Sequence, residues 1–489
     1  MNKSNVGASI LNIITESLYD KPIVVFREYV QNSVDSLSLV DDNNTDSLTS
    51  KIWEKNGNLY FLDNGVGIDE NKFVSRMKSI AFSTKIKTTN LGYKGIGRLS
   101  GISYCNKLRF INILSFKNKK IQEYSIDCIE YNRLQKTENY NNLSFNELME
   151  LIGIAEESAS IESIFDNVGQ YQDIFENRDT GFLVILEDIS VILKNTIKEK
   201  DFSNDLSWLL PVPFENELLE DNKYASLFKW LSAGPTFENN SLVAAKSYSI
   251  FYNGKQLYRP LKKNMFRTYL CKSKLDKYAV CIQSFSNEKI ELDKRNAFSG
   301  IRIYIDNMLL CDENELIPAL QQYGFTSHGL YELIQSVRGM GVIIYIVDKV
   351  NISANARRTF IEMTDQDAIN FLEFTAAMVD NIYDTRYALS KYASALKSEE
   401  LATEAVEAKR QKALHQLQIL ANDEVYVEIK EITSEPLGFE FLSKTEQKRQ
   451  VKNKIAREIN DCIKDYLSQT DNFNFDTCFD DFKTWFAAN

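Results

Sequence analysis

At 489 residues the chain exceeds what one compact core usually encloses, and about two to four domains are expected. A hydrophobic fraction of 44% and an aromatic fraction of 12% are those of a folded, soluble protein. A net charge of −11 speaks against a protein that coats nucleic acid with its whole surface, although a local basic face stays open. The seven cysteines are scattered, and no pair has CxxC spacing, so reduced thiols in a cytoplasmic protein are expected. With His328 and His415 as the two histidines, a zinc site or a histidine-based centre is not expected. The start, MNKSNVGASILNIITESLYDKP, lacks a basic-then-apolar leader pattern, and no apolar run approaches the ~20 residues that span a bilayer.

In chain order, residues 6–40 predict two helices broken at Asp20-Lys21-Pro22, where proline suits the first turn of the second. That second helix, from Ile23 to about Leu39, carries Val25, Phe26, Tyr29, Val30, Val34 and Leu37 at helical spacing. A hairpin follows, with Asn56-Gly57 as the turn between KIWEK and NLYFLD. Residues 107–130 and 181–189 predict strands, and the polar stretch between them is partly helical. Helical character returns from Asn204 to about Ser232, interrupted by Pro211-Val212-Pro213. Residues 248–310 predict strands and turns. A helical piece and the buried-strand run GVIIYIVDKV follow, the order of an α/β domain. Much of 365–421 is rich in Ala, Leu, Glu, Lys and Gln, which predicts long helices.

Three segments carry chemistry. In Phe26-Arg27-Glu28-Tyr29-Val30-Gln31-Asn32-Ser33-Val34-Asp35, Glu28 and Asn32 lie four apart and project from one helix face. A carboxylate there can orient and deprotonate water, while an amide oxygen can ligate the hard ion Mg²⁺. In Leu62-Asp63-Asn64-Gly65-Val66-Gly67-Ile68 a strand ends in an acid able to accept a hydrogen bond from an exocyclic amine, and two glycines follow. The third segment is Phe82-Ser83-Thr84-Lys85, then Leu91-Gly92-Tyr93-Lys94-Gly95-Ile96-Gly97-Arg98. Its glycines bare backbone N–H groups before an expected helix, an arrangement that suits phosphate, with Lys85, Lys94 or Arg98 adding charge. It fits neither a Walker nor a Rossmann pattern. Each segment alone is also an ordinary helix face, turn or loop.

Together, in this order, they resemble the ExxxN, DxGxG and GxxGxG motifs of the GHKL superfamily: gyrase, heat-shock chaperones, histidine kinases and MutL. The resemblance implies a left-handed βαβ-rich sandwich holding ATP beneath a mobile lid. It implies Glu28 as general base, Asn32 as Mg²⁺ ligand and Asp63 as adenine reader with Gly67 beside it, and Gly92, Gly95 and Gly97 as the lid hinge. A fourth motif, Gly-Thr before a late strand, is partly visible in Asp179-Thr180-Gly181-Phe182, where Phe182 stands in the usual place of threonine. The N-terminal position of the motifs and the segment Asn351–Phe360 resemble the chaperone-like and MORC-like branch, in which an arginine reaches the γ-phosphate on closure. Arg358 is the first choice and Arg357 the second; the plain alternative is a surface arginine pair.

The expected catalytic set is Glu28, Arg358 and Lys85. The expected cofactor-binding set is Asn32, Asp35, Asp63, Gly65, Gly67, Gly92, Lys94, Gly95, Ile96, Gly97, Arg98 and Thr180. The expected fold is α+β: a Bergerat sandwich over 1–195, an α/β transducer domain (ribosomal protein S5-like) over 196–362 and a mainly helical region over 363–489. The expected function is a Mg²⁺-dependent ATPase switch that remodels a protein or nucleic-acid client, in a setting such as phage defence. ATP-dependent homodimerisation and no membrane partner are expected. The alternatives are an ATP-gated dimerising module with little turnover and, further off, a protein kinase. The basic stretch Arg259–Lys277 is read as a solvated loop before a nucleic-acid contact.

Overall fold

The computed structural model describes residues 6–13, 21–40, 48–79, 96–156, 164–165, 168–214, 235–238, 241–244, 248–259, 265–273, 279–286, 300–305, 307–322, 324, 340–346, 360–361, 366, 368–372, 375–376 and 426–432. The chain divides into two compact units. The first comprises Met1–Thr236, Leu242–Pro260 and Asp306–Met308; the second comprises Phe237–Ser241, Leu261–Ile305 and Leu309–Asn489.

The first unit begins with a short helical turn, Ile10–Asn12, and the helix α1, Ile23–Ser38, which follows Pro22 as the sequence predicts. Next come strands β1, Thr49–Lys55, and β2, Asn58–Asp63. Their turn places Asn56 and Gly57 at φ of 54° and 79°, the mirror-image geometry that matches strand twist. Helix α2, Phe73–Lys78, leads to strands β3, Lys107–Ser115, and β4, Lys120–Asp127. Helices α3, Cys128–Leu134, and α4, Phe145–Ile152, precede strand β5, Gly153–Glu156. Strand β6, Gly181–Glu187, is followed by helices α5, Val191–Ile197, and α6, Phe202–Leu209. Strands β7, Pro235–Glu238, and β8, Ser241–Ala244, whose residues are divided between the two units' ranges, form a separate two-stranded sheet. Strands β9, Ser249–Tyr252, and β10, Lys255–Gln256, return to the main sheet.

That sheet has eight strands in the order β10-β9-β1-β2-β6-β3-β4-β5. It is mixed, because β1 and β9 run parallel while the other neighbours are antiparallel. The sheet therefore continues past residue 195, the expected domain boundary, which itself lies within α5.

Alternation along the strands gives the sheet two apolar faces. One takes Phe61, Val184, Phe110 and Tyr124 in a cross-strand row and receives α1. Phe26 of α1 meets Phe61 and Phe202 edge-on at 5.4 and 5.0 Å, and Tyr29 lies 5.0 Å from Phe61. Each such pair adds about 1 kcal/mol to the area it buries. The opposite face buries Trp53, Tyr60, Leu62, Ile111, Ile113, Leu183 and Ile185 against Ile164, Phe165, Ile174 and Phe175.

The second unit holds a six-stranded sheet, in the order β14-β13-β15-β12-β11-β16. Its members are β11, Met265–Ser273; β12, Ala279–Ser286; β13, Gly300–Ile305; β14, Met308–Asp312; β15, Met340–Ile346; and β16, Tyr426–Ile432. Helix α7, Glu313–Gln322, separates β14 from β15, the strand-helix-strand order that the sequence predicts. Strands β13 and β15 pair in parallel and bury Ile303, Tyr304, Ile344 and Tyr345, as near-continuous apolar runs require. Strand β16 lies in the region expected to be helical; its alternation of Val427 and Ile429 with Glu428 and Lys430 is a strand signal that the flanking helical composition hides.

Arg259, which opens the basic stretch, is fully buried and corrects the notion of a basic surface starting there. It donates to the side chain of Asn307 and, from Nη2, to the carbonyls of Asn307 (2.6 Å) and Leu210 (3.2 Å). Cys105, Cys128 and Cys311 are free, buried thiols, as expected for reduced core residues. Among the described residues no helix is long and apolar enough to cross a membrane.

On the face opposite α1, Arg109 bridges Glu123 (2.6 and 3.0 Å) and Glu187 (2.7 Å). The two carboxylates push its guanidinium above the ordinary arginine range, against the burial that pulls it down. Arg109→Ala removes the cation beside the buried Glu123 and is expected to cost about 3 kcal/mol. Urea unfolding of the two proteins checks it, and a difference below about 1 kcal/mol would contradict it.

Candidate functional site

Two clusters form along α1. The first is built around Glu28, whose side chain is buried at 3% exposure, with the Arg27 Nε 3.6 Å from its Oε1. The carboxylate lies directly against Gly97: a Cβ added there would overlap Glu28 Oε2, so a larger residue at 97 would displace the end of that side chain. Asn32 lies one turn further along α1 and is half-buried.

Where the sequence predicts a helix after the glycine loop, the chain makes two 3₁₀ turns, Gly97–Leu99 and Ile102–Tyr104. The cause is Tyr29. Its hydroxyl donates to the Arg98 carbonyl (3.0 Å) and accepts from the Gly101 N–H (3.0 Å). The Gly101 amide is thereby diverted from the Gly97 carbonyl, which takes Ser100 N at 3.1 Å instead, while Ile96 O takes Leu99 N at 3.0 Å. Burial pushes the Tyr29 phenol well above its ordinary range, so it stays a donor.

The second cluster is built around Asp63, at the end of β2 and 3% exposed. Its Oδ1 accepts from Gly65 N at 2.9 Å, which turns the chain sharply. Asn64 is pinned between Thr49 N (2.9 Å) and the Ile174 carbonyl (2.8 Å). The Thr180 hydroxyl donates to the Gly65 carbonyl at 2.9 Å. Thr180 is itself placed by Asp179, whose carboxylate accepts from Lys117 N (2.7 Å) and Ser115 Oγ (2.6 Å), bonds that hold it below the usual carboxylate range. Phe182, two residues downstream of Thr180, packs its ring edge-on against Phe73 of α2. Gly67 takes φ of 66°, open to glycine at little cost. Ser36, two turns after Glu28 on α1, packs against Gly65, so one helix touches both clusters.

The other expected residues have the following surroundings. Asp35 is buried and faces Arg76 of α2, whose guanidinium is pulled down by burial and held up by Asp35. Arg98 lies near Tyr124, whose hydroxyl burial pushes to about 12 while the guanidinium opposes the rise. Lys85, Gly92, Lys94, Gly95, Arg357 and Arg358 lie outside the described residues. The sequence shows Tyr29 only as an apolar helix position and gives little sign of Asn112 of β3, which bonds Ile68. Its one signal is a lone amide in the run Phe110-Ile111-Asn112-Ile113. Among the described residues no group of three or more His, Cys, Asp or Glu could hold a metal ion.

Residues 21–156 match a family model described as histidine kinase-, DNA gyrase B-, and HSP90-like ATPase. Both clusters draw most of their residues from this span, and Thr180 joins from beyond it. No curated protein matches the chain.

Tyr29→Phe deletes one hydroxyl that serves two backbone groups. It is expected to destabilise the first unit by about 1–2 kcal/mol and to speed hydrogen exchange at the Gly101 amide. Unchanged exchange at that amide would show that the turn holds without the phenol.

Proposed function

We propose, with residues 21–156 as a GHKL-type ATPase domain for the premise, that the chain binds ATP and hydrolyses it with Mg²⁺ as a conformational switch. The observation that carries the reading is the Glu28 carboxylate lying on the bare backbone of the Gly97 turn. A phosphate brought to that turn meets backbone N–H groups, and a water beside it meets a buried carboxylate able to take its proton. Arg27, 3.6 Å away, keeps a positive charge beside that carboxylate.

At the other end of α1, Asp63 accepts a hydrogen bond from the exocyclic amine of adenine. Its Oδ1 already holds Gly65 N, so the carboxylate is oriented before the base arrives. Thr180 and Gly65 complete the rim on that side. Mg²⁺ suits Asn32, because this hard ion takes one or two protein oxygens and fills its remaining positions with water and phosphate. Bound there, it would neutralise charge on the phosphate oxygens.

The finer reading is a chaperone-like or MORC-like ATPase. In it, closure of the lid over Gly92, Lys94 and Gly95 and arrival of Arg358 complete the site, two copies associate, and hydrolysis resets them. Lys85 adds charge at the phosphates, and a protein or nucleic-acid client, in phage defence for example, is what the cycle acts on. Support for this part is the sequence segment Asn351–Phe360 and the order of domains. ATPase stimulation by duplex DNA with a steep salt dependence would favour a nucleic-acid client.

Glu28→Ala is expected to lower phosphate release by about a hundredfold or more while Mg-ATP binding stays within about threefold of wild type. Asp63→Asn is expected to weaken ATP binding itself by about tenfold or more. Calorimetric titration and a phosphate-release assay separate the two effects. Wild-type turnover by the Glu28 variant would remove the mechanism, and wild-type protein that takes up no ATP with Mg²⁺ would remove the function.

A further inference from the structure

We infer that Asn112 is a positioning residue for nucleotide recognition, a role that rests on the ATP-site reading above and extends it to β3, which none of the motifs reaches. Asn112 is fully buried in the middle of an apolar strand. It stands in the same cross-strand row as Asp63 and Phe182, with Gln122 beyond it on β4. Its side-chain amide reads the Ile68 peptide from both sides: Oδ1 accepts from Ile68 N at 2.9 Å, and Nδ2 donates to Ile68 O at 2.6 Å. Two complementary bonds to one residue fix both position and rotation, as pairing to a neighbouring strand would.

The contact also explains Gly67. A Cβ there would sit 2.7 Å from Asn112 Oδ1 and 3.2 Å from the Gly181 carbonyl, on a backbone at φ of 66°. The orientation of the Asn112 amide is itself set, since Nδ2 lies 3.2 Å from Gln122 Oε1 and Gln122 Nε2 donates to Glu70 O at 2.9 Å. The loop that carries the adenine reader is therefore fastened at three points: Asp63 on Gly65 N, Thr180 on Gly65 O, and Asn112 on Ile68. The first two lie in recognised motifs. The third decides where the loop leaves the sheet, and through it where Asp63 and Gly65 face the base.

The test is Asn112→Asp, which keeps the acceptor for Ile68 N and replaces the donor to Ile68 O by a second acceptor. At about pH 8 the carboxylate repels the Ile68 and Gln122 oxygens, and ADP binding should weaken by about tenfold to a hundredfold. At about pH 5 the protonated acid donates to Ile68 O again, and binding should recover to within about threefold of wild type at that pH. Asp63 in the same row, the Glu70–Lys120 pair (2.9 Å) and Asp179 at the hairpin turn are charged groups present in both proteins, so wild type over the same series subtracts them. A merely structural loss would give weak binding at both pH values, or a lower melting temperature with normal binding. Either result, or binding equal to wild type throughout, overturns the inference.

If Asn112→Asp does not fold, Gly67→Ala attacks the same contact from the loop side and should weaken ADP binding by about tenfold. Unchanged binding there counts against the role. Wild type that fails to bind ADP at all would instead mark failure of the ATP-site reading.

Discussion

The Tyr29 phenol joins α1 to the turn that follows the glycine loop, and Glu28 is the residue next to it on that helix. The hydroxyl takes the Arg98 carbonyl and the Gly101 amide, so residues 97–104 form two tight turns rather than a helix. The preceding residue on α1 is Glu28. Tyr29 is fastened with its ring against Phe61, and Glu28 beside it lies on Gly97. A buried acid, a bare backbone and a fixed spacing between them follow from one hydrogen-bonded side chain packed on a sheet.

Helix α1 also sets a length. Glu28 touches the Gly97 turn and Ser36 touches Gly65, eight residues apart, which is about 12 Å along a helix axis. The acid that would act on a terminal phosphate and the acid that would read a base are held by one rigid element and the strand row it covers. Loops supply the surfaces between them, but the distance is a property of the helix. Site precision therefore comes from secondary structure, where it costs least in ordering entropy.

Much of this was legible because it is local. The Glu28–Asn32 spacing, the Asn56-Gly57 turn, the glycines at 65, 67 and 97 and the apolar runs of β13 and β15 each state their conformation within a few residues. Thr180 was half legible: the hydroxyl was present, but Phe182 occupied the expected place, and only strand register shows Phe182 turned into the row of Asp63 while Thr180 reaches Gly65. Asn112 and Tyr29 were hidden because their partners lie 44 to 72 residues away, beyond any periodicity. Strand β16 was hidden by helix-forming neighbours, and the late entry of β9 into the first sheet has no local signature at all.

That late entry has a consequence for the nascent chain. Thr49–Ile52 of β1 pairs with Ser249–Tyr252, so one side of β1 waits for about 200 residues of synthesis. Every other strand of that sheet from β1 to β6 is complete by Glu187. At about 5–20 residues per second, roughly 3 to 12 seconds pass between the emergence of Glu187 and that of Ser249. During this interval the ribosome-bound intermediate presents an open strand edge bearing Ile52 and Trp53, a template for intermolecular pairing. Slowing translation between these points would lengthen that exposure, and the yield of soluble protein would fall with it.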